Sequence, residues 1–257
     1  MPYQRITAVD FHVQHHARTL ALRSLGHVRT GPFVARFNPE WASPMANYAI
    51  PDDHAEPSAA DIRALIEVFR ARERKPRLEF LPSCAPAVEP ALRAAGFKVE
   101  SRAPLMACPP GDLAAPKPVA GLELFEPRAD DDLFGLVTVQ HYAYGEPGRP
   151  DWPAIGGLRA TYENGGIVVL GLFEGEPAGG GSCSVPIDGL TEVGGIAVAE
   201  RFRRRGVGAA VAARLTELAF ERGLRVPWLE PSGEISERVY AGIGYRAIGE
   251  KLNISLP

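Results

Sequence analysis

The residues whose types and spacing can do chemistry are concentrated in positions 191–211, TEVGGIAVAERFRRRGVGAAV. A strand-like run passes into Arg201, Arg203, Arg204 and Arg205, then through Gly206 and Gly208 directly into a helical pattern. The backbone N–H groups of such a turn and the dipole of the following helix converge on one point, which suits an anion. Glycines without a Cβ let a phosphate approach the main chain closely. A P-loop nucleotide site would require Gly-Lys-Ser/Thr, and this loop has neither Lys nor Ser/Thr. The competing readings are a nucleic-acid patch or a solvated turn for the arginines, and core packing for the side chains of Val207 and Val211.

Arg203-Arg204-Arg205-Gly206-Val207-Gly208 matches the pattern Arg/Gln-x-x-Gly-x-Gly/Ala, after a strand ending in Ile196-Ala197-Val198 and before a helix. In that setting the C-terminal half of the chain resembles the GNAT superfamily of acyl-CoA N-acyltransferases. The resemblance implies that Arg203, Arg204, Arg205, Gly206, Val207, Gly208 and Ala209 hold the pyrophosphate of acetyl-CoA, the cosubstrate. It also implies that backbone groups of Ile196, Ala197 and Val198 hold the pantetheine arm and the acyl carbonyl. Tyr240, four residues before Gly244-Tyr245, resembles the tyrosine that protonates or hydrogen-bonds the departing thiolate. A phenol suits that role because its pKa, about 10, is close to that of a thiol leaving group. The alternative for Tyr240 is an ordinary helix residue packed on the core. Gly233 stands where family members often carry a cofactor-contacting Asn, so that side-chain contact is missing here.

Acetylation of an amine needs an uncharged nucleophile, since an alkylammonium of pKa about 10.4 has no lone pair at neutral pH. Glu192, on the strand before the loop, resembles the strand glutamate base of histone-acetyltransferase-type members; an exposed strand-end carboxylate is the other reading. Glu230 and water are alternates. No metal is called for: His15 and His16 are adjacent, no carboxylate or Cys pattern frames them with His12, and a solvated helix start accounts for all three. The acceptor is expected to be a primary amine of a small molecule or peptide, with neither nucleic acid nor membrane as a partner and with a monomer or homodimer as the assembly. The rival from another class is a catalytically silent acyl-CoA-binding sensor or interaction module.

The elements that must position these groups follow from periodicity and breakers. Ser58 and Asp61 form a capping-box pattern ahead of Ile62, Leu65, Ile66 and Phe69, which predicts a helix over 59–73. A strand at 77–81, a helix at 85–95 and a strand at 97–106 follow. Four prolines within 106–120 mark a linker, placed at 111–120. Beyond it come a strand at 122–125, helices at 130–143 and 151–163, and strands at 167–173, 182–186 and 192–198. The glycine-rich stretch 174–181 is expected as a turn. The apolar stripe of Val207, Val211, Leu215 and Leu218 then marks a helix ending near Gly223, before a strand at 226–230, a helix to Gly242 and a strand at 245–255.

Setting Gly96 on Gly244 aligns Leu81 with Leu229, Glu89 with Glu237 and Phe97 with Tyr245, with Leu92 in the place of Tyr240. The expected architecture is therefore α/β: a GNAT-like mixed, twisted β-sheet flanked by helices (121–257), preceded by a smaller, degenerate, partial GNAT-like domain (1–110). Composition agrees with a folded globular chain. It is 46% hydrophobic and 23% charged, with a net charge of -3, which advertises neither nucleic acid nor anionic membrane. Cys84, Cys108 and Cys183 show no CxxC spacing, and no run of 18 apolar residues occurs, so a reducing cytoplasm is the expected location.

Overall fold

The computed structural model describes residues 7–257 apart from Leu25 and Glu40. The chain divides into two compact units, Met1–Leu105 with Ala247–Pro257, and Met106–Arg246. The division therefore falls between Leu105 and Met106 rather than at 111–120, and the end of the chain joins the first unit.

The first unit contains α1 (Thr7–Arg23), β1 (Val28–Thr30), β2 (Phe33–Arg36), β3 (Tyr48–Pro51), α2 (Ala59–Arg70), β4 (Arg77–Phe80), α3 (Val88–Ala94), most of β5 (Lys98–Ala107) and most of β11 (Arg246–Ser255). Its strand order is β1-β2-β3-β4-β11-β5. β1, β2 and β3 form an antiparallel meander, β3 and β4 are parallel, and β4 pairs antiparallel with β11. Ser58 caps α2 as its spacing predicts: its Oγ accepts from the Asp61 amide at 3.2 Å, and the Asp61 carboxylate accepts from the Ser58 amide at 2.8 Å. Leu65, Phe69, Leu78, Phe80, Leu92, Leu252 and Ile254 fill the core of this unit. The meander gave no clear signal in the sequence because its strands are only three or four residues long. His16 departs from the expected solvated helix start: α1 continues through it and it is buried.

The second unit contains β6 (Leu122–Phe125), α4 (Asp130–Ala143), α5 (Ile155–Glu163), β7 (Ile167–Phe173), β8 (Glu176–Cys183), β9 (Leu190–Val198), α6 (Val207–Glu221), β10 (Val226–Leu229) and α7 (Glu234–Ala241). β6 through β9 are successively antiparallel, β9 and β10 are parallel, and Met106 and Ala107 pair antiparallel with β10. From the meander onward this repeats the connectivity of the first unit: three antiparallel strands, a helix, a parallel strand and a helix.

The stretch expected as a turn, 174–181, is mostly strand, because a glycine-paved β8 lies between two helices. A Cβ on Gly180 would sit 2.6 Å from Leu136 Cδ1 of α4, and one on Gly179 2.8 Å from Val207 Cγ1 of α6. The glycines are there for close approach rather than for a bend. Residues 111–120, expected as a Pro-rich linker, are held to the second unit. Leu113 packs on the core, the Ala114 amide donates to Ile243 O at 3.1 Å, and Asp112 pairs with Arg246 at 3.2 Å. No described helix is long and apolar enough to cross a membrane.

The β8 packing is directly testable. Gly180→Ala places a methyl 2.4 Å from Val169 O as well as against Leu136, and overpacking of this kind costs about 1–3 kcal/mol. Urea unfolding should register that loss, whereas Gly175→Ala, at a turn with open space around it, should lose only what its left-handed backbone costs.

Candidate functional site

The site is built on the parallel pair β9 and β10. Their pairing runs Leu190 with Val226, Thr191 with Pro227 and Glu192 with Trp228, and there it ends, while β9 continues to Val198. The carboxyl ends of adjacent parallel strands are where open α/β sheets receive ligands. Ala199 donates to Ala178 O of β8 at 2.9 Å, and Val198 pairs with Gly179 in register. Because N–H groups alternate along a strand, those of Val198 point away from β8, toward the side that β10 has left. The Val198 carbonyl accepts from Arg203 Nε at 3.2 Å, which leaves its N–H as the donor at this edge.

A bulge in β9 sets which groups face which way. The register with β8 shifts between Gly180 and Ser182, and Gly195 adopts φ +63°, in the left-handed region. Before the bulge, Val193 packs into the core cluster around α6; after it, Ile196 and Val198 do so. The alternation has slipped by one residue, and Ala197 is buried on the opposite face. From α4, Gln140 Nε2 donates to Gly195 O at 2.7 Å, and the Tyr144 hydroxyl lies 3.5 Å from Ile196 O. These two residues, one helical turn apart, had gone unremarked in the sequence. Their only signal is an i, i+4 spacing beside the buried Leu133, Leu136 and Val137.

The arginine loop follows at once. Arg204 (φ +61°) and Gly206 (φ +88°) are both left-handed, which turns successive amides inward as in an anion-binding nest. Gly206 caps α6, and the first helical bond runs from Ala210 to Gly206 O at 3.0 Å. The amides of Val207, Gly208 and Ala209 therefore have no acceptor within the helix, and no side chain caps them. The arginines divide. Arg201 is paired with Glu176, and the Arg205 guanidinium lies over Phe173, 5.3 Å from the ring centre. Arg203 and Arg204 are exposed and make no ion pair among the described residues. Val207 and Val211 are core residues, as one of the sequence readings held.

Tyr240 lies on α7, half-buried against the core cluster. Burial raises its pKa above the usual 10. Tyr245 fixes it from behind. The Tyr245 amide donates to Tyr240 O at 3.1 Å, and its buried hydroxyl lies 2.6 Å from Thr216 Oγ1. Thr216 donates its single proton to Ala212 O at 2.8 Å, so Tyr245 donates to Thr216 and anchors α7 to α6. The Tyr144 ring is 56% exposed. Desolvation of its hydroxyl and the adjacent Tyr240 phenol push its pKa up to about 12.

The structure thus gathers Val198, Arg203 and Gly208, and sets the Tyr144 hydroxyl against the strand just past the bulge. Glu192 is placed apart. It sits at the last β9–β10 pair, six residues and roughly 20 Å of strand from Val198. Glu230, two residues past Trp228, lies nearer the open end. Gly233 precedes α7 and offers no side chain. A cavity of about 850 Å³ adjoins the loop, lined by Phe134, Thr138 and Tyr142 of α4 and by Ala199, Arg201 and Arg203.

Residues 131–245 match the model of the acetyltransferase (GNAT) family. Over those residues the second unit is similar to the GNAT family. In fold the chain is similar to a GCN5-related N-acetyltransferase from Kribbella flavida, at TM-score 0.80 and 24% identity, over 97% of this chain and 96% of that one. It is similar also to a GCN5-related N-acetyltransferase from Sphaerobacter thermophilus, at TM-score 0.62 and 14% identity, over 87% of this chain and 76% of that one. A glucosamine N-acetyltransferase region of a fungal multi-domain GH3 beta-N-acetylglucosaminidase matches at TM-score 0.66 and 10% identity, over 92% of this chain and 34% of that one. No curated protein matches.

Gln140 holds the bulge by a single bond to a carbonyl, so Gln140→Leu should cost about 1 kcal/mol of stability. It should also speed amide exchange at residues 195–198 while the paired residues 190–192 stay protected. Unchanged exchange at 195–198 would show that the bulge does not depend on α4.

Proposed function

We propose that the second unit transfers an acetyl group from acetyl-CoA to a primary amine of a small molecule or peptide by direct attack. The observation that carries this reading is the Val198 N–H at the parted edge of β9, next to the orphaned amides of Val207, Gly208 and Ala209. One edge supplies a donor for a thioester carbonyl, and the neighbouring helix end supplies donors for a diphosphate.

Acetyl-CoA fits with its pyrophosphate on the loop 203–209 and its pantetheine arm along Ile196, Ala197 and Val198, where it takes the backbone partners that β10 no longer provides. The amine lone pair attacks the thioester carbon, and the developing oxyanion is held by the Val198 N–H. The C–S bond breaks, and the thiolate takes a proton from Tyr240. The amine gives up its proton through water to Glu192 or Glu230; Glu192 is too far along the strand to act without an intervening relay. The enzyme is read as cytoplasmic, a monomer or homodimer, with the first unit as a degenerate copy of the second.

Tyr240→Phe should reduce turnover by about 10²-fold or more, the usual contribution of a positioned acid, with acetyl-CoA affinity unchanged. Release of CoA thiol, assayed over a panel of primary amines, measures this and separates a transferase from a silent acyl-CoA sensor, which would bind without release. Since burial raises the Tyr240 pKa above 10, its proton stays in place through neutral and mildly alkaline pH. The rate should therefore climb as the amine deprotonates and show no alkaline fall below pH about 10. A fall centred near pH 8 would remove Tyr240 from the acid role.

A further inference from the structure

The first unit contains the same structural opening as the second, and it is filled. β3 and β4 are parallel and share one register pair, Ala49 with Leu78, so their carboxyl ends at Pro51 and Leu81 part as those of β9 and β10 do. Between those ends lies Gln14 of α1, fully buried. Its Oε1 accepts from the Leu81 amide at 3.0 Å, and its Nε2 donates to Asp53 Oδ1 at 3.0 Å. Arg18, one turn further along α1, donates to Pro51 O at 3.2 Å and holds Asp53 with both terminal nitrogens, each at 2.9 Å. The His54 amide donates to Cys84 O at 2.7 Å and closes the remaining gap. Leu81, at the end of β4, the strand that takes the place of β10 in this unit, thus has its edge N–H satisfied from within.

The helix end that follows is also occupied. In the second unit, arginines and glycines lead into α6 and its first amides are open; in the first, Asp52, Asp53 and Glu56 lead into α2, with no Lys or Arg from 52 to 61. The Asp61 carboxylate bonds Ser58 at the N-terminus of α2, and its Oδ1 lies 2.6 Å from where Gly31 would carry a Cβ. Donors at this helix end are therefore already taken by its own side chains, the Ser58 amide by the Asp61 carboxylate and the Asp61 amide by Ser58 Oγ, and the surrounding acids repel an anion.

We propose that the first unit is an acyl-CoA site closed by its own side chains, Gln14 and Arg18 filling the strand slot and Asp61 the phosphate position, so that the chain binds a single acyl-CoA. The identity of the ligand rests on the transferase reading; the closure of the slot does not.

Two measurements on the full chain test this separately. Calorimetric titration with acetyl-CoA should give one site per chain. Gly208→Asp, which puts a carboxylate into the open first turn of α6, one residue before the position that Asp61 holds in α2, should weaken binding at least 100-fold. Two sites in the wild type, or a site surviving in Gly208→Asp, would overturn the closure. Amide exchange is the second measurement. Leu81 should be protected in the free protein and unaffected by acetyl-CoA, and should exchange at least tenfold faster in Gln14→Met while Leu78 and Phe80 report that the unit remains folded. A fast Leu81 amide in the wild type, or one newly protected by acetyl-CoA, would refute the plug. If the wild type binds no acetyl-CoA at all, the transferase reading fails, and a protected, Gln14-dependent Leu81 still upholds the closure.

Discussion

Everything at the site depends on two parallel strands that stop pairing. A strand edge without a neighbour carries N–H and C=O groups that must be satisfied by something else, because leaving a polar backbone group buried and unpaired costs about as much as a lost hydrogen bond. In the second unit β9 meets this in two ways. The carbonyl of Val198 is taken by Arg203, and its N–H is left toward the opening. In the first unit it is the strand across the opening, β4, that presents an unpaired amide, that of Leu81, and Gln14 accepts from it. On the proposed reading, one topological constraint is met once by a ligand and once by an internal side chain. The choice rests on a few residues of α1 and of the strand-to-helix loops rather than on the fold.

The bulge in β9 explains why an opening at the strand edge can coexist with a well-packed sheet. A regular strand that buried Val193 on α6 would turn Ile196 and Val198 half a period out of step with the core, since the side-chain period is two. The extra residue at Gly195 restores both to the α6 face. It also rotates the Gly195 carbonyl toward α4, where Gln140 receives it. Gly195 has two reasons to be glycine: its φ of +63°, and the proximity of Gln140 Nε2, 2.8 Å from a would-be Cβ. The glycines of β8 serve the same end by a different route. They let α4 and α6 approach the sheet closely on opposite faces, which brings Gln140 and Tyr144 within reach of β9 from one side and the N-terminus of α6 from the other.

How much of this could be read from the sequence depended on whether a residue acts locally. The turn from Arg203 to Gly208 and the helix start within it were legible because their signals are contiguous: arginines, glycines and an apolar stripe that begins at Val207. α2 and α6 were legible for the same reason, with their caps and apolar stripes written within a dozen residues. Gln140 and Tyr144 were not, since their partners are carbonyls 55 and 52 residues away and only packing brings them together. β8 was misread because glycine clusters signal turns locally, whereas here their function is set by Leu136 and Val207 on other elements. His16 was misread because a polar residue in a polar stretch gives no local sign of burial, and the amphipathic signal of α1 is weak. The proline-rich stretch was read for what proline prevents. The contacts of Leu113 and Ala114 that hold it to the second unit could not be anticipated from that.

The arginines of the loop invite an electrostatic account, but their geometry limits it. Arg201 is committed to Glu176 and Arg205 to the Phe173 ring, which leaves Arg203 and Arg204 exposed to solvent. Exposed charges are screened over about 10 Å at 0.1 M salt, so these two chiefly raise the rate at which an anion arrives. In the proposed site the anion would be held by the amides of Val207, Gly208 and Ala209, which are fixed by the helix and would lose no side-chain entropy on binding. The same reasoning explains the first unit. Removing four arginines would only have weakened a phosphate site. On the proposed reading, the capping box of Ser58 and Asp61 takes donors at the helix end and sets a carboxylate beside them, which excludes an anion more firmly than the loss of the arginines would.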